Sequence, residues 1–583
     1  MFGIEDWGEI DSLLAAYGFY QENMAENGAH LPQHDQQQPP LQQQHQEPVS
    51  DYCVYDNFNF SAVSPPIPPV QEDGGLENIQ TGFSNSDEPV KEKPNQFSLA
   101  SLGLLSNYGS GLKKLKEGNL TNLSMEKKAE KGNLSNLNEE TNMAVRKLST
   151  EEVMRVAGAR FVEFSTQKDA DFSMLMHPFG HALSGLSEEE IDDIELAHHL
   201  LAAAEKVGCQ QFDRASRLLS RCEWIASNTG NPVQRIVFYF AKALWERIDR
   251  ETGRFNSKGL EEKGRNVDEG FMPTSSVPSL ACYQELPFTQ VAQFTGMQAI
   301  IENVASAKKV HLIDLRIRDG VHWTVLMQAL VDRDEGPIEL LKITAVGITG
   351  NQKLVDTGKR LESFAKSMNL NFSFKVVFVS NMKDVKEELF EIETDEAVAV
   401  FSPLILRTMI SRPNCLETLM SVLKNLNPVI MVVTEVEANH NSPSFVNRFI
   451  EALFFCSAFF DCLEACMGRN DQTRMITEAL LGEGIRNITS AEGEGRDTRT
   501  VKLDVWRAFF TKFGMVETQL SYSSLYQASL VAKQFACGKS CTLDYSGKCL
   551  IVGWKGTPIQ SVSAWKFCCE EQGQGEGEGE RES

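Results

Sequence analysis

From Lys309 onward the chain alternates several times between the hydrophobic period of a buried strand and that of an amphipathic helix, and nothing else in it restricts the fold as strongly. Residues 310–315 (VHLIDL), 339–348 (ELLKITAVGI), 372–379, 397–402 and 429–434 (VIMVVT) read as short, nearly uninterrupted apolar strands. Helical patterns at 323–330, 356–368, near 383–390 and at 416–426 separate them. Strands that are apolar on both faces and joined through helices predict an α/β fold, with a mostly parallel sheet covered on both sides. A long helix over 444–465, helices at 503–513 and 524–535, and closing strands at 549–554 and 559–567 follow.

Upstream, the globular part is expected to open near Glu188 with a helical module. Leu196, Leu200, Ala203 and Val207 recur at three or four residues, with Gly208 placed for a left-handed cap. Phe212, Ala215, Leu218, Leu219, Cys222 and Ile225 form a second stripe, after which Asn231 caps and Pro232 opens a third helix through Ile248. Such leucine stripes either present a dimer surface or line the inside of a bundle, the commoner use; the heptads are too short for a free coiled coil.

Residues 1–150 differ in kind. A Gln/His/Pro stretch from Leu31, the segment SPPIPP at 64–69, and Asn/Ser/Lys/Glu runs cannot bury enough apolar area to offset ordering entropy, so this region reads as disordered, with 151–187 as a linker. Three islands interrupt it, at 4–20, 52–60 and 97–105; the first carries Trp7, Ile10, Leu13, Leu14 and Tyr17 on one helical face and reads as a partner-binding segment. Residues 569–583 form an acidic, Gly-rich tail.

With 80 Asp+Glu against 56 Lys+Arg, a formal charge of -24, a chain-wide grip on nucleic acid or an anionic membrane is excluded. The basic stretches at 113–116 and 127–131 are thin. No run is long and apolar enough for a membrane span, and MFGIEDWGEI at the start is acidic where a leader would be basic and then apolar. Thirteen scattered Cys, Cys568 and Cys569 adjacent, read as reduced thiols of a nucleocytoplasmic protein.

A parallel sheet presents ligands at the carboxyl ends of its strands, so the turn after Asp314 is the first place to seek chemistry. It reads LRIRDG: Leu315, Arg316, Ile317 and Arg318 crowd it, Gly320 is its one glycine, and neither G-x-G-x-x-G nor a P-loop occurs around it. A nucleotide or S-adenosylmethionine site therefore lacks its minimum parts. Glu435, Glu437, Asn439 and His440 (TEVEANHN) follow a strand and form either an acid/base cluster or, more simply, a hydrogen-bonded loop. His311, alone among apolar neighbours, fits a satisfied core residue. Cys456, Cys462 and Cys466 share one helix without the spacing of a zinc site, so no metal and no cofactor is expected.

Over residues 190–568 these motifs, in this order, resemble the plant-specific GRAS transcriptional regulators. Residues 196–248 look like the first leucine-rich region. VAQFTGMQAIIE (291–302) followed by Val310, His311, Leu312, Ile313 and Asp314 looks like the central VHIID motif, with Gly320, Trp323 and Leu326 in its tail. Residues 358–370 resemble the second leucine-rich region. The region named for P-F-Y-R-E appears over 428–463, including VEANHNSPSFVNRFIEAL with Glu437, Asn439, His440 and Arg448, and Gly553, Trp554, Ser563, Ala564 and Trp565 match the SAW motif.

The resemblance implies a Rossmann-like, methyltransferase-like core with an N-terminal helical cap. Its GRAS domain would span 188–568: cap 188–250, VHIID-like region 280–345, second leucine-rich region 356–370, PFYRE-like region 395–500 and SAW region 501–568. It further implies a nuclear regulator without catalytic residues. Such a regulator binds transcription factors, zinc-finger DNA-binding proteins among them, and other GRAS proteins as homo- or heterodimer, so that DNA contact is mostly indirect. Leu196, Leu200, Val207, Leu218, Leu219 and Ile225 are the expected contact residues. The competing readings are a divergent S-adenosylmethionine-dependent methyltransferase using Asp314 and a direct sequence-specific DNA binder. Within the family the chain departs from the DELLA repressors. DSLLAAYGF (11–19) is similar to D-E-L-L-A-x-L-G-Y, but Ser12 replaces the acid and no T-V-H-Y-N-P follows, while Arg499, Thr500, Val501 and Lys502 stand where many members carry R-V-E-R. Binding of the gibberellin receptor is not carried over; development, hormone response and symbiosis all remain open as settings.

Overall fold

The computed structural model describes residues 101–105, 147–166, 186–254, 283–317, 320–333, 336–348, 352–468, 472–496 and 498–568. The islands at 4–20 and 52–60, the C-terminal tail and most of the composition-biased region lie outside them.

After a short helical turn at 101–105 come four helices: α1 (Thr150–Thr166), α2 (Glu188–Gly208), α3 (Phe212–Ile225) and α4 (Pro232–Glu251). Their starts are written in the sequence. Ser187 caps α2 and Asn231 caps α4, each within a reciprocal capping box closed by Glu190 and Gln234, and Pro232 occupies the first turn of α4. The end of α2 differs from expectation. Gly208 is still helical, and the left-handed residue is Gln210, at φ 57°. Gly208 serves close approach instead, since a Cβ there would lie 2.6 Å from Val446 Cγ2.

Helix α5 (Pro287–Asn303) leads into the sheet: β1 (Lys309–Asp314), α6 (Val321–Val331), β2 (Leu340–Ile348), α7 (Gln352–Ser367), β3 (Phe372–Val379), β4 (Glu396–Pro403), α8 (Pro413–Leu426) and β5 (Ile430–Val436). Then come α9 (Phe445–Met467), α10 (Gln472–Thr489), α11 (Leu503–Lys512), β6 (Met515–Thr518), α12 (Tyr522–Gln534), β7 (Cys541–Ser546), β8 (Cys549–Trp554) and β9 (Thr557–Phe567). Strand order is β3-β2-β1-β4-β5-β9-β8-β7, with β6 also paired to β9. The first five strands pair in parallel, and every pairing of β9 is antiparallel. Such an α/β sheet, preceded by a helical cap, is the Rossmann-like architecture expected. Between β3 and β4 the expected helix is absent: KDVKEELF carries only two 3-10 turns, Met382–Asp384 and Glu387–Phe390.

Side-chain alternation along β1 divides the core. Val310 and Leu312 face the large cluster shared with the cap, while Ile313 joins the smaller cluster with α8 and α11. Helix α9 is apolar nearly all round and buried accordingly, standing between the cap and the sheet. One buried network ties the cap to it. Arg235 of α4 donates through Nε to Glu478 at 3.0 Å, through Nη2 to Glu464 at 2.8 Å and through Nη1 to the Gly230 carbonyl.

Two boundaries need correction. Part of the span read as linker is α1, whose Val153, Met154, Ala157 and Phe161 enter the large core. Residues 101–105, inside the region read as disordered, are helical; Leu105 is fully buried and Ser101 donates to Asn447 Oδ1 at 2.7 Å. The described part of the third island, 101–105, thus docks on its own chain.

Candidate functional site

At the end of β1 the Asp314 side chain turns back into its own loop. Oδ1 accepts the Arg316 amide at 2.9 Å and Oδ2 accepts the Trp323 indole N–H at 2.8 Å. Asp314 and Trp323 are fully buried, and the indole meets the Phe401 ring edge-to-face at 5.3 Å. Gly320 holds φ at 66° where α6 begins, and a Cβ there would stand 3.0 Å from Thr357 and 3.1 Å from Leu361. Gly320, in the loop that would cradle a nucleotide, is packed against α7, the Asp314 carboxylate is engaged by the Trp323 indole, and β2 ends on Ile348 where a ribose-holding acid would stand. These residues do not fit S-adenosylmethionine.

His311 lies mid-strand. One ring nitrogen contacts Thr344 Oγ1 at 2.7 Å and the other Glu396 Oε2 at 2.9 Å, and burial lowers its pKa to about 4, so at neutral pH it is an uncharged bridge between β2 and β4.

The second cluster is a loop braced from several sides. Glu435 accepts the amides of Leu406 and Arg407; Glu437, half-buried, accepts the amide of Leu503 at the start of α11. Burial raises both carboxyls to about 7. His440 donates its backbone N–H to the Thr500 carbonyl and receives an Arg496 hydrogen bond at its own carbonyl. Its ring is buried, stands edge-on to Phe455 at 5.4 Å, has no hydrogen-bond partner among the described residues at either nitrogen, and is lowered to about 3 by burial and then by Arg496 and Lys502. Arg448 donates to the carbonyls of Ser442 and Pro443 and pairs with Glu492, while Asn439 is half-buried. No hydrogen bond joins the His440 ring to either glutamate, so the arrangement is a staple between loops. It lacks the contacts of an acid/base pair.

The SAW residues latch the sheet. Trp554 Nε1 donates to Asp461 of α9 at 2.7 Å; Trp565 Nε1 donates to Ser563 Oγ at 2.9 Å and its ring lies 4.7 Å from Phe510. Ala564 is buried opposite Val432 of β5.

The leucine stripe divides. Leu196, Leu200, Val207 and Leu219 are at most 1% exposed and pack within this chain, so in this conformation they cannot touch a partner. Leu218 is half-buried, and Ile225 is exposed beside Trp224, which is 90% exposed. Trp224 escaped the sequence reading because it falls off the apolar period. A Trp at full exposure is the signal that finds it.

The family model of the GRAS domain family matches residues 196–566. The chain belongs to this family. Among the relatives of this GRAS protein, the DELLA protein RGL1 of Arabidopsis thaliana is 32% identical over 375 residues, 64% of this chain and 70% of the relative. The DELLA protein GAI1 of Vitis vinifera is 31% identical over 387 residues, 66% of this chain and 63% of the relative. DELLA protein 1 of Medicago truncatula is 32% identical over 390 residues, with 64% and 63% covered. The matched span is thus under two thirds of the length of the second and third. The crystal structure of SCL7 in Oryza sativa aligns at TM-score 0.57 with 26% identity, over 64% of this chain and 99% of that one. This GRAS chain is a plant regulatory protein by family, and its Rossmann-like core is the fold of that structure.

Proposed function

We propose that this GRAS protein is a nuclear transcription co-regulator that works by protein contact, binding DNA-binding transcription factors, zinc-finger proteins among them, and other GRAS proteins. It does no chemistry of its own on this reading. The observation that carries it is the β1 turn, where Asp314, Trp323 and Arg316 satisfy one another and Gly320 is walled by Thr357. A Rossmann-like body closed at that point has its outer surfaces left to work with. On the cap the surface that supports docking is the end of α3: Leu218, Trp224 and Ile225 combine apolar area with the Arg217 and Arg221 side chains exposed on the same helix. The acidic balance of the chain supports contact with DNA through a partner over direct phosphate binding.

Pull-down of DNA-binding partners from plant nuclear extract by the full chain tests this. Trp224→Ala combined with Ile225→Asp, folded by circular dichroism, should lose partners that the parent chain retains. Retention of every partner would refute the α3 surface, and tight, salt-sensitive, sequence-preferring DNA binding by the isolated chain would refute the indirect mode.

A further inference from the structure

The sequence places Cys462 and Cys466 one turn apart on α9, and the fold brings two more thiols to them. The Cys462 and Cys466 sulfurs are 3.8 Å apart. Cys537, between α12 and β7, lies across one cavity from Cys466 and reaches the Glu285 carbonyl at 3.9 Å. Cys541, the first residue of β7, lies within electrostatic reach of Cys537. Cys462 is buried and the other three are half-buried. Cys466 and Cys537 both line a cavity of about 320 Å³, bounded also by Glu285, Gln290 and Phe535. No group of three or more His, Cys, Asp or Glu among the described residues has the geometry to hold a metal ion, so paired thiol chemistry describes the cluster better than zinc.

We propose that Cys466 and Cys537 are a redox pair, oxidised by a peroxide to a disulfide that ties the connection between α12 and β7 to α9. Cys537 lies on the connection, flanked by exposed Ala536, and is the first to react. Its deprotonated sulfur attacks one peroxide oxygen, the O–O bond breaks, and the leaving oxygen departs as water, giving a sulfenic acid. The Cys466 sulfur then displaces the hydroxyl, which leaves as a second water with the Cys466 proton. Two thiols lose two electrons in total and one peroxide is reduced to two waters. Cys462, behind Cys466 and away from the cavity, is a spectator.

Cys462 raises the Cys466 thiol and Cys466 raises that of Cys537, burial and the Glu285 carboxylate add to both against a lowering of Cys466 by Cys537, and neither is a standing thiolate at neutral pH. Oxidation runs through a small deprotonated fraction and answers sustained oxidant. The disulfide, whose leaving thiols are weak acids, then resists reduction.

The full chain, treated with hydrogen peroxide at mildly alkaline pH, alkylated, and digested with trypsin without reductant, decides the matter. Cleavage after Lys533 and Lys539 separates Cys537 from Cys541. The expected product joins that peptide to Cys466, lighter by two hydrogens than the parts. It disappears with dithiothreitol and in Cys466→Ser or Cys537→Ser, and persists in Cys456→Ser and Cys462→Ser. The thermal midpoint of the oxidised parent should rise, and that of oxidised Cys537→Ser should not. Should a serine variant misfold by circular dichroism, joint loss of Cys466 and Cys537 alkylation in the oxidised parent carries the same information. Oxidation of Cys537 to the sulfinic acid without a cross-link, a link through Cys462, or stoichiometric zinc that protects the thiols would overturn the proposal.

Discussion

Replacing Asp314 by Ala asks whether this residue is structural or a vestige of a ligand site. The change deletes two hydrogen bonds, a buried one from the Trp323 indole at 2.8 Å and a partly buried one from the Arg316 amide at 2.9 Å. Each contributes about 1 kcal/mol net, and the indole N–H, stranded between α6 and the sheet, adds a desolvation cost of about 1 to 3 kcal/mol. The expected loss is therefore about 3 to 5 kcal/mol, enough to lower the urea midpoint well beyond error while leaving the slope unchanged. Trp323→Phe keeps the ring against Phe401 and removes the donor, so the double variant should be less destabilised than the sum of the singles, with a coupling of about 1 to 3 kcal/mol. A loss below about 0.5 kcal/mol for Asp314→Ala, or strict additivity, would show that the carboxyl group does not close this turn.

Three further outcomes follow from the same structure. His440, at about 3 in the fold against an ordinary 6.5, binds a proton in the unfolded chain first; its stability contribution is present above pH 6.5 and is lost as pH falls toward 3. At pH 5 this costs about 2 kcal/mol, so His440→Phe should narrow the drop in denaturant stability between pH 8 and pH 5 by that amount, and an unchanged drop would refute the assignment. Gly296→Ala would set a Cβ 2.8 Å from Val432 Cγ1 where α5 crosses β5. Although alanine favours a helix by about 1 kcal/mol, the clash should leave a net loss of about 1 to 3 kcal/mol in chemical denaturation. Leu200→Asp, at a fully buried site, should prevent folding, whereas Leu218→Asp, half-buried at the edge of the core, should cost about 1 to 2 kcal/mol by thermal melting and still fold; equal effects would contradict the division of the stripe.

Much of this fold was legible because the central strands are buried on both faces. VHLID and IMVVT have no wet side to disguise them, and the capping residues Asn231 and Pro232 mark α4 without tertiary help. What escaped was short, polar or set by distant partners. β6 has four residues and β7 is a sheet-edge strand with little apolar content, neither strong enough to rise above turns. Helix α10 buries Arg474 and Glu478, which cancel against Arg235, and so hides its inner face from a hydrophobic count. Helix α1 was masked by the composition around it. At the candidate site the missing glycines after Asp314 could be read directly. That Asp314 binds Trp323, that four of the six leucine-stripe residues face inward, and that Cys537 meets Cys466 all depend on contacts between segments that no local spacing encodes.

Calorimetric titration of S-adenosylmethionine into the full chain, alongside Asp314→Ala, addresses the central claim most directly. A β1 turn filled by Trp323 and Arg316 predicts no saturable heat in either protein. Micromolar binding by the parent, abolished by Asp314→Ala, would contradict it.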